Sequence, residues 1–146
     1  MDISRQVRER VAPGKGGAPV THAVGRRKSA VARIWVSRGA GAVTVNGKTT
    51  NDYFATEVMR TAALLPMTIL PHLGAQYDIA VNVCGGGLHA QAGAMKLGIS
   101  RAFVKINAET RPMLRAEGLL TCDARLKERK KPGRKGARKG FQFVKR

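Results

Sequence analysis

The last 24 residues, Asp123 to Arg146, limit what this chain can fold into more than any other stretch, because no core can be built from them. They read DARLKERKKPGRKGARKGFQFVKR and hold eleven Lys or Arg against two acids, a net +9 that is half of the chain's formal +18. Their apolar residues, Ala124, Leu126, Ala137, Phe141, Phe143 and Val144, follow no helical or strand period, and Pro132, Gly133, Gly136 and Gly140 interrupt any element. The segment is expected to be unfolded alone, so the fold must come from what precedes it. A cationic stretch with two aromatics suits a polyanion carrying exposed bases: Lys and Arg neutralise phosphates, while Phe141 and Phe143 stack on bases or pack on sugars. A solvated, self-repelling tail has the same charge pattern, and charge alone leaves both readings open.

The whole chain has 146 residues, 43% of them hydrophobic, which is enough for one domain with a core of its own. A pI near 11.3 makes it cationic at any physiological pH and points to an anionic partner, nucleic acid before acidic membrane. No membrane partner is expected, because no apolar run approaches the roughly 20 residues that span a bilayer and the tail lacks an amphipathic helix period. Cys84 and Cys122 lie far apart, with neither ligand spacing nor a disulfide framework, and are expected to be buried thiols in a reducing compartment. His22, His72 and His89 share no metal-binding spacing, so no metal or other cofactor is expected.

Residues 1–20 are polar, Arg-bearing and then Gly- and Pro-rich, without the apolar stretch of a secretory signal, and read as a flexible arm. Residues 21–122 have the pattern of a folded domain and 123–146 form the tail. Ala30, Ala32, Ile34 and Val36 alternate with Val31, Arg33 and Trp35 on the two faces of a strand that begins in the cationic Gly25-Arg26-Arg27-Lys28. Ala42 to Val45 makes a second strand expected to pair with the first, and Asn46-Gly47 signals a tight turn. Thr50 to Leu65 places Tyr53, Phe54, Val58, Ala62 and Leu65 at the spacing of a core-covering helix, ended by Pro66. Ile79, Val81 and Val83 form one face of a third strand opposite Asp78, Ala80 and Asn82. Cys84-Gly85-Gly86-Gly87 then leads into a helix, Leu88 to Ile106, with an apolar stripe (Leu88, Ala92, Met95, Ile99, Ala102, Phe103, Ile106) and a basic face of Lys96, Arg101 and Lys105. Gly93 and Gly98 within it fit a close approach of another backbone, of RNA, or simple packing. A short helix from Pro112 ends at Gly118, after which Leu119 and Leu120 dock the chain.

Gly85-x-Gly87-x-x-Ala90 between a strand and a helix formally matches a dinucleotide-binding fingerprint. Its context fails, because no second parallel strand ending in Asp or Glu follows about 20 residues on. An anion site at the helix N-terminus and a plain tight turn both remain compatible with the glycines. The nine acids are dispersed and no Ser or Cys has a His at a readable spacing, so neither an enzyme nor a small-molecule substrate is expected.

Several segments together carry a likeness. Gly25-Arg26-Arg27-Lys28-Ser29-Ala30-Val31-Ala32-Arg33, Val45-Asn46-Gly47-Lys48, Tyr53-Phe54, Gly85-Gly86-Gly87, Gln91-Ala92-Gly93-Ala94, Gly98-Ile99-Ser100-Arg101-Ala102 and Leu120-Thr121 occur in the order of one family. Asp123-x-Arg125, Glu128-Arg129-Lys130-Lys131-x-Gly133, Ala137-Arg138-Lys139 and the closing Gln142-Phe143-x-Lys145-Arg146 continue it to the last residue. From about Val24 onward the chain resembles the universal small-subunit ribosomal protein nine family in its bacterial and organellar form. It departs from that pattern at Ala90, Cys122, Ala124 and Val144, the last of which lacks the family's usual hydroxyl.

The resemblance implies an α/β (α+β) two-layer sandwich like domain two of ribosomal protein five, with a long extended basic C-terminal tail. It implies a structural protein of the small-subunit head, on cytoplasmic or alternatively mitochondrial or plastid ribosomes, beside neighbouring head proteins. Small-subunit rRNA would be held by Arg26, Arg27, Lys28, Arg33, Lys96, Arg101 and Lys105, and in the tail by Arg125, Lys127, Arg129, Lys130, Lys131, Arg134, Lys135, Arg138, Lys139, Phe141 and Phe143. Lys145 and Arg146 would approach the anticodon stem-loop of the peptidyl-site tRNA. The competing readings are a free nucleic-acid-binding or nucleoid protein and, on the glycine turn alone, a nucleotide-dependent enzyme.

Overall fold

The computed structural model describes residues 20–144. The expectations for the N-terminal arm up to residue 19, and those for Lys145 and Arg146, lie outside the described residues.

Thr21–Arg27 (β1) and Ala30–Arg38 (β2) form an antiparallel hairpin in which Arg27 pairs with Ala30. Lys28 and Ser29 are therefore the two-residue turn, with Lys28 in the left-handed region at φ 53°. The cationic Gly25 to Lys28 run, expected at the start of one strand, is instead the end of a strand and the turn into the next. Inward-facing Ala32, Ile34 and Val36 are fully buried, while Val31, Arg33 and Trp35 face outward, as their alternation predicts.

Val43–Val45 (β3) and Lys48–Thr49 (β4) form a second hairpin around Asn46 and Gly47, whose φ values of 50° and 79° suit the tight turn their sequence signals. Tyr77–Cys84 (β5) lies between the two hairpins, antiparallel to β2 and parallel to β3, so the strand order is β1-β2-β5-β3-β4. The expected pairing of β2 with β3 does not occur. Polar groups just after β2 go to the chain entering β5 instead: the Gly39 N–H donates to the Gln76 carbonyl at 3.0 Å and the Ala42 N–H to Asp78 Oδ1 at 2.8 Å. Asn46 completes the diversion. Its N–H donates to the Val81 carbonyl, its Nδ2 to the Val83 carbonyl at 3.0 Å, and its Oδ1 accepts from the Val83 N–H at 2.9 Å, so one side chain stands in for a strand residue along β5.

Between β4 and β5 run Thr50–Tyr53 (α1), Glu57–Ile69 (α2) and Pro71–Gln76 (α3). The single helix expected over Thr50 to Leu65 is split, because Phe54 adopts an extended backbone (φ −103°, ψ 105°) and its side chain is fully buried. Pro66 does not end α2 but lies inside it, buried in the packing. The predicted stripe of α2 is also out of phase: Val58 is 69% exposed and Ala62 and Leu65 are half-buried, whereas Ala63 and Pro66 face the core. Apolar residues occur on both sides of this helix, so periodicity alone does not select the buried side.

Leu88–Ile106 (α4) lies across β1 and β2 and also packs on α2, burying Ala92, Met95, Ile99, Ala102 and Phe103 against Ile34, Val36 and Val81. Leu88, assigned to the stripe, is 42% exposed at the first turn. A Cβ on Gly25 would overlap the Ala94 carbonyl oxygen, and one on Gly98 would meet the Ile34 side chain. The two glycines let β1 and α4 touch backbone to backbone, which settles Gly98 in favour of packing. A 3-10 turn (Ala108–Thr110) and Arg111–Ala116 (α5) follow, and Gly118 at φ 66° ends the run before the fully buried Leu119. The architecture is the expected α+β sandwich of one sheet and one helical layer. Among the described residues no helix is long and apolar enough to cross a membrane.

Candidate nucleic-acid interface

Arg26, Arg27 and Lys96 of the folded body meet Arg125 along one seam, formed by the end of β1, the middle of α4 and the start of the tail. Gly93 clears the path: a Cβ there would overlap Cδ of Arg27, which lies flat over the helix. Arg27 Nη2 thereby reaches Asp123 Oδ2 at 3.1 Å, tying the hairpin to the root of the tail, while its buried Nε has no acceptor among the described residues. Arg125 grips the same carboxylate from the other side, Nε to Oδ1 at 2.9 Å and Nη2 to Oδ2 at 3.1 Å, and its backbone N–H adds a third bond. The Arg125 side chain first and its backbone N–H second, helped by the Arg27 charge, hold the Asp123 carboxyl far below the ordinary carboxylate range. The same bond pushes Arg125 up. Around this knot lies an open depression of about 470 Å³, lined by Arg26, Arg27, Lys96, Leu97, Thr121, Cys122 and Arg125 among others.

Arg101 and Lys105 on the basic face of α4 have work inside the protein. Arg101 Nη1 donates to the Val24 carbonyl at 2.9 Å and Lys105 Nζ to the His22 carbonyl at 2.7 Å, so both cap the edge strand β1. No local pattern signals these bonds, since the partners lie 77 and 83 residues away. Both remain exposed. Lys28 in the hairpin turn and Arg33 on the far face of the sheet are exposed and stand apart from the seam.

Residues 123–144 contain neither helix nor strand and are exposed at nearly every position. Glu128 pairs with Lys131 at 2.8 Å and with Arg138 at 2.9 Å, and these two hydrogen bonds lower its pKa, Lys131 most. The Lys135 N–H donates to the Lys139 carbonyl at 2.9 Å, and Lys135 Nζ stands 5.8 Å from the centre of the Phe141 ring. Lys127, Arg129, Lys130, Arg134, Lys135 and Lys139 have no acidic partner among the described residues. Phe143 is 93% exposed.

The glycine turn has a structural purpose. Gly85 and Gly86 take φ values of 74° and 62°, and a Cβ on either would press on Ser29 or Ala30. Gln91 Nε2 donates to the Gly85 carbonyl at 3.1 Å while its Oε1 accepts from the Tyr53 hydroxyl at 2.8 Å. Of the two open readings, a tight turn locked by neighbouring side chains is the one the geometry supports. No strand follows α4 among the described residues. The two cysteines are exposed rather than buried as expected. Cys84 ends β5 on the outward side, and Cys122 sits at the tail root with its Sγ donating to the Arg26 carbonyl at 3.2 Å. No cluster of metal-ligating side chains occurs among the described residues.

Comparison with known proteins matches residues 25–146 to the family described as ribosomal protein S9/S16. The chain is 48% identical over 127 residues to the small ribosomal subunit protein uS9 of Bacteroides fragilis, covering 87% of this chain and 98% of that protein. It is 50% identical over 123 residues to the protein of the same name from Anaeromyxobacter sp. strain K, covering 84% and 94%. With that of Azobacteroides pseudotrichonymphae the identity is 46% over 127 residues.

Proposed function

The chain belongs to the ribosomal protein S9 family, a family of structural and non-enzymatic proteins of the small ribosomal subunit, and from that premise we propose that residues 21–122 anchor it on small-subunit rRNA while residues 123–146 reach into the RNA. The proposal includes the subunit head as its site, with neighbouring head proteins and the peptidyl-site tRNA anticodon stem-loop as partners, the latter met by Lys145 and Arg146. The relatives named above are bacterial, which favours a cytoplasmic ribosome over an organellar one.

One observation supports this division of labour best. The tail leaves the folded body at a fixed knot, Arg27–Asp123–Arg125, and beyond it six cations have no acidic partner among the described residues. Such a segment gains no core burial, so ordering it requires contacts to an external polyanion. If 6 to 10 phosphates are met, affinity should fall roughly 10³ to 10⁵ between 50 and 200 mM salt.

Sedimentation of cell extract in moderate salt tests the reading: the protein should run with small subunits, and recovery with DNA or as free protein would overturn it. Removing Lys145 and Arg146 should leave assembly intact and weaken peptidyl-site tRNA binding. Unchanged tRNA affinity would remove the tRNA part alone.

A further inference from the structure

The sheet has a second face that the helical layer does not cover. Along β2 it carries Val31, Arg33 and Trp35, and the registers place His22 beside Trp35, Val24 beside Arg33, and Arg26 beside Val31. On the other side of β2, Ala80 adjoins Trp35 and Asn82 adjoins Arg33, with Thr44 next to Ala80. Trp35 is half-buried, and its ring lies 5.3 Å from that of His22 at a tilt of 46°. Arg33 and Arg26 are exposed. The only acid on the five strands, Asp78, is committed, since its Oδ1 accepts from the Ala42 N–H and its carboxylate packs against Gly39.

An aromatic platform flanked by arginines and lacking an available carboxylate has a defined complement. An apolar protein surface would desolvate two guanidiniums with nothing to pair them. A nucleotide answers both features, because the base offers a face to the indole and the phosphates offer charge to the arginines. Arg33 stands two residues from Trp35, roughly 6.6 Å along the strand, within reach of the phosphate of a base stacked on Trp35. We infer that this face is a second RNA-contacting surface, distinct from the tail, that takes an unpaired base on Trp35 with its phosphate on Arg33, while Arg26 at the far end of the face adjoins the tail root. The inference rests on the reading above that the chain binds RNA, and adds that the outward face of the sheet selects unstacked rather than paired nucleotides.

Trp35 is the chain's only tryptophan, so its emission reports on this face alone. The full-length protein is titrated with a single-stranded oligoadenylate and, separately, with duplex RNA of equal length. The single strand should quench Trp35 emission strongly, while the duplex, held by the tail, binds without comparable quenching. By filter retention, Trp35→Ala should weaken single-strand binding about tenfold and leave duplex binding unchanged. Arg33→Ala, at an exposed position, should reduce the salt slope by about 1. Binding of both RNAs with Trp35 emission unchanged, or quenched equally by both, overturns this inference and leaves the proposed function standing. Failure to bind either RNA overturns both. A shift of Trp35 emission with protein concentration in the absence of RNA assigns the face to a second copy and overturns the inference.

Discussion

The cations of the folded body and those of the tail carry the same charge in opposite circumstances. Arg27, Arg101 and Lys105 each donate to a carboxylate or a strand carbonyl, so they hold the protein together whether or not RNA is present. In the tail only three of the nine described cations, Arg125, Lys131 and Arg138, pair with its two acids, and the other six face solvent without an acidic partner among the described residues. The contrast teaches that net charge does not measure readiness to bind. The body uses Arg27, Arg101 and Lys105 as cross-braces with spare donors, whereas most of the tail's charge awaits an external partner.

The strongest way to break that contrast is to replace Lys127, Arg129, Lys130, Arg134, Lys135 and Lys139 together by Gln. Affinity for small-subunit rRNA should fall by about 10³ or more, with a salt slope shallower by roughly 5, while the melting temperature stays the same. A lowered melting temperature would mean that these residues brace the body after all. The converse change is Gly25→Val, which forces β1 and α4 apart where they touch at Ala94. It should cost about 3 kcal/mol in urea unfolding, yet leave low-salt binding through the tail largely intact.

Asn46→Ala leaves the Val83 N–H and carbonyl without their partner and should cost about 1 to 3 kcal/mol, again without changing the salt slope. The smallest effect concerns the junction of the two regions. Asp123 has its pKa lowered by Arg125 and Arg27, so its pairing contributes above the ordinary carboxylate value near 3.9 and is lost as pH falls through the lower folded value. Asp123→Asn should therefore flatten the acid limb of the stability curve slightly and speed proteolysis near Arg125, with little change in melting temperature at neutral pH.

Much of this layout is legible in the sequence, and what is not has identifiable physical causes. The alternation of Ala30 to Val36 and of Ile79 to Val83, and the stripe from Ala92 to Phe103, state which side is buried because the polar residues of each strand, Arg33 in one and Asp78 and Asn82 in the other, fall on a single side. The helix Glu57–Ile69 is apolar on both sides, so its facing is set by packing against α4, which lies far from it in sequence. The pairing of β3 with β5 depends on Asn46 reaching residues 37 positions away. Among the candidate site residues, charge alone identified the tail. It gave no means of separating Arg101 and Lys105, which cap a strand edge, from cations with no protein partner. Nor did it single out Arg27, whose course over Gly93 exists only once β1 and α4 meet.

Amide hydrogen exchange, followed in the isolated protein and again in assembled small subunits, tests the division between braced body and unpartnered tail most directly. Residues 30–36, 79–84 and 88–106 should be protected in both states, and residues 123–144 should exchange freely alone and become protected in the subunit. Equal protection of 123–144 in both states, or none in the subunit, would contradict it.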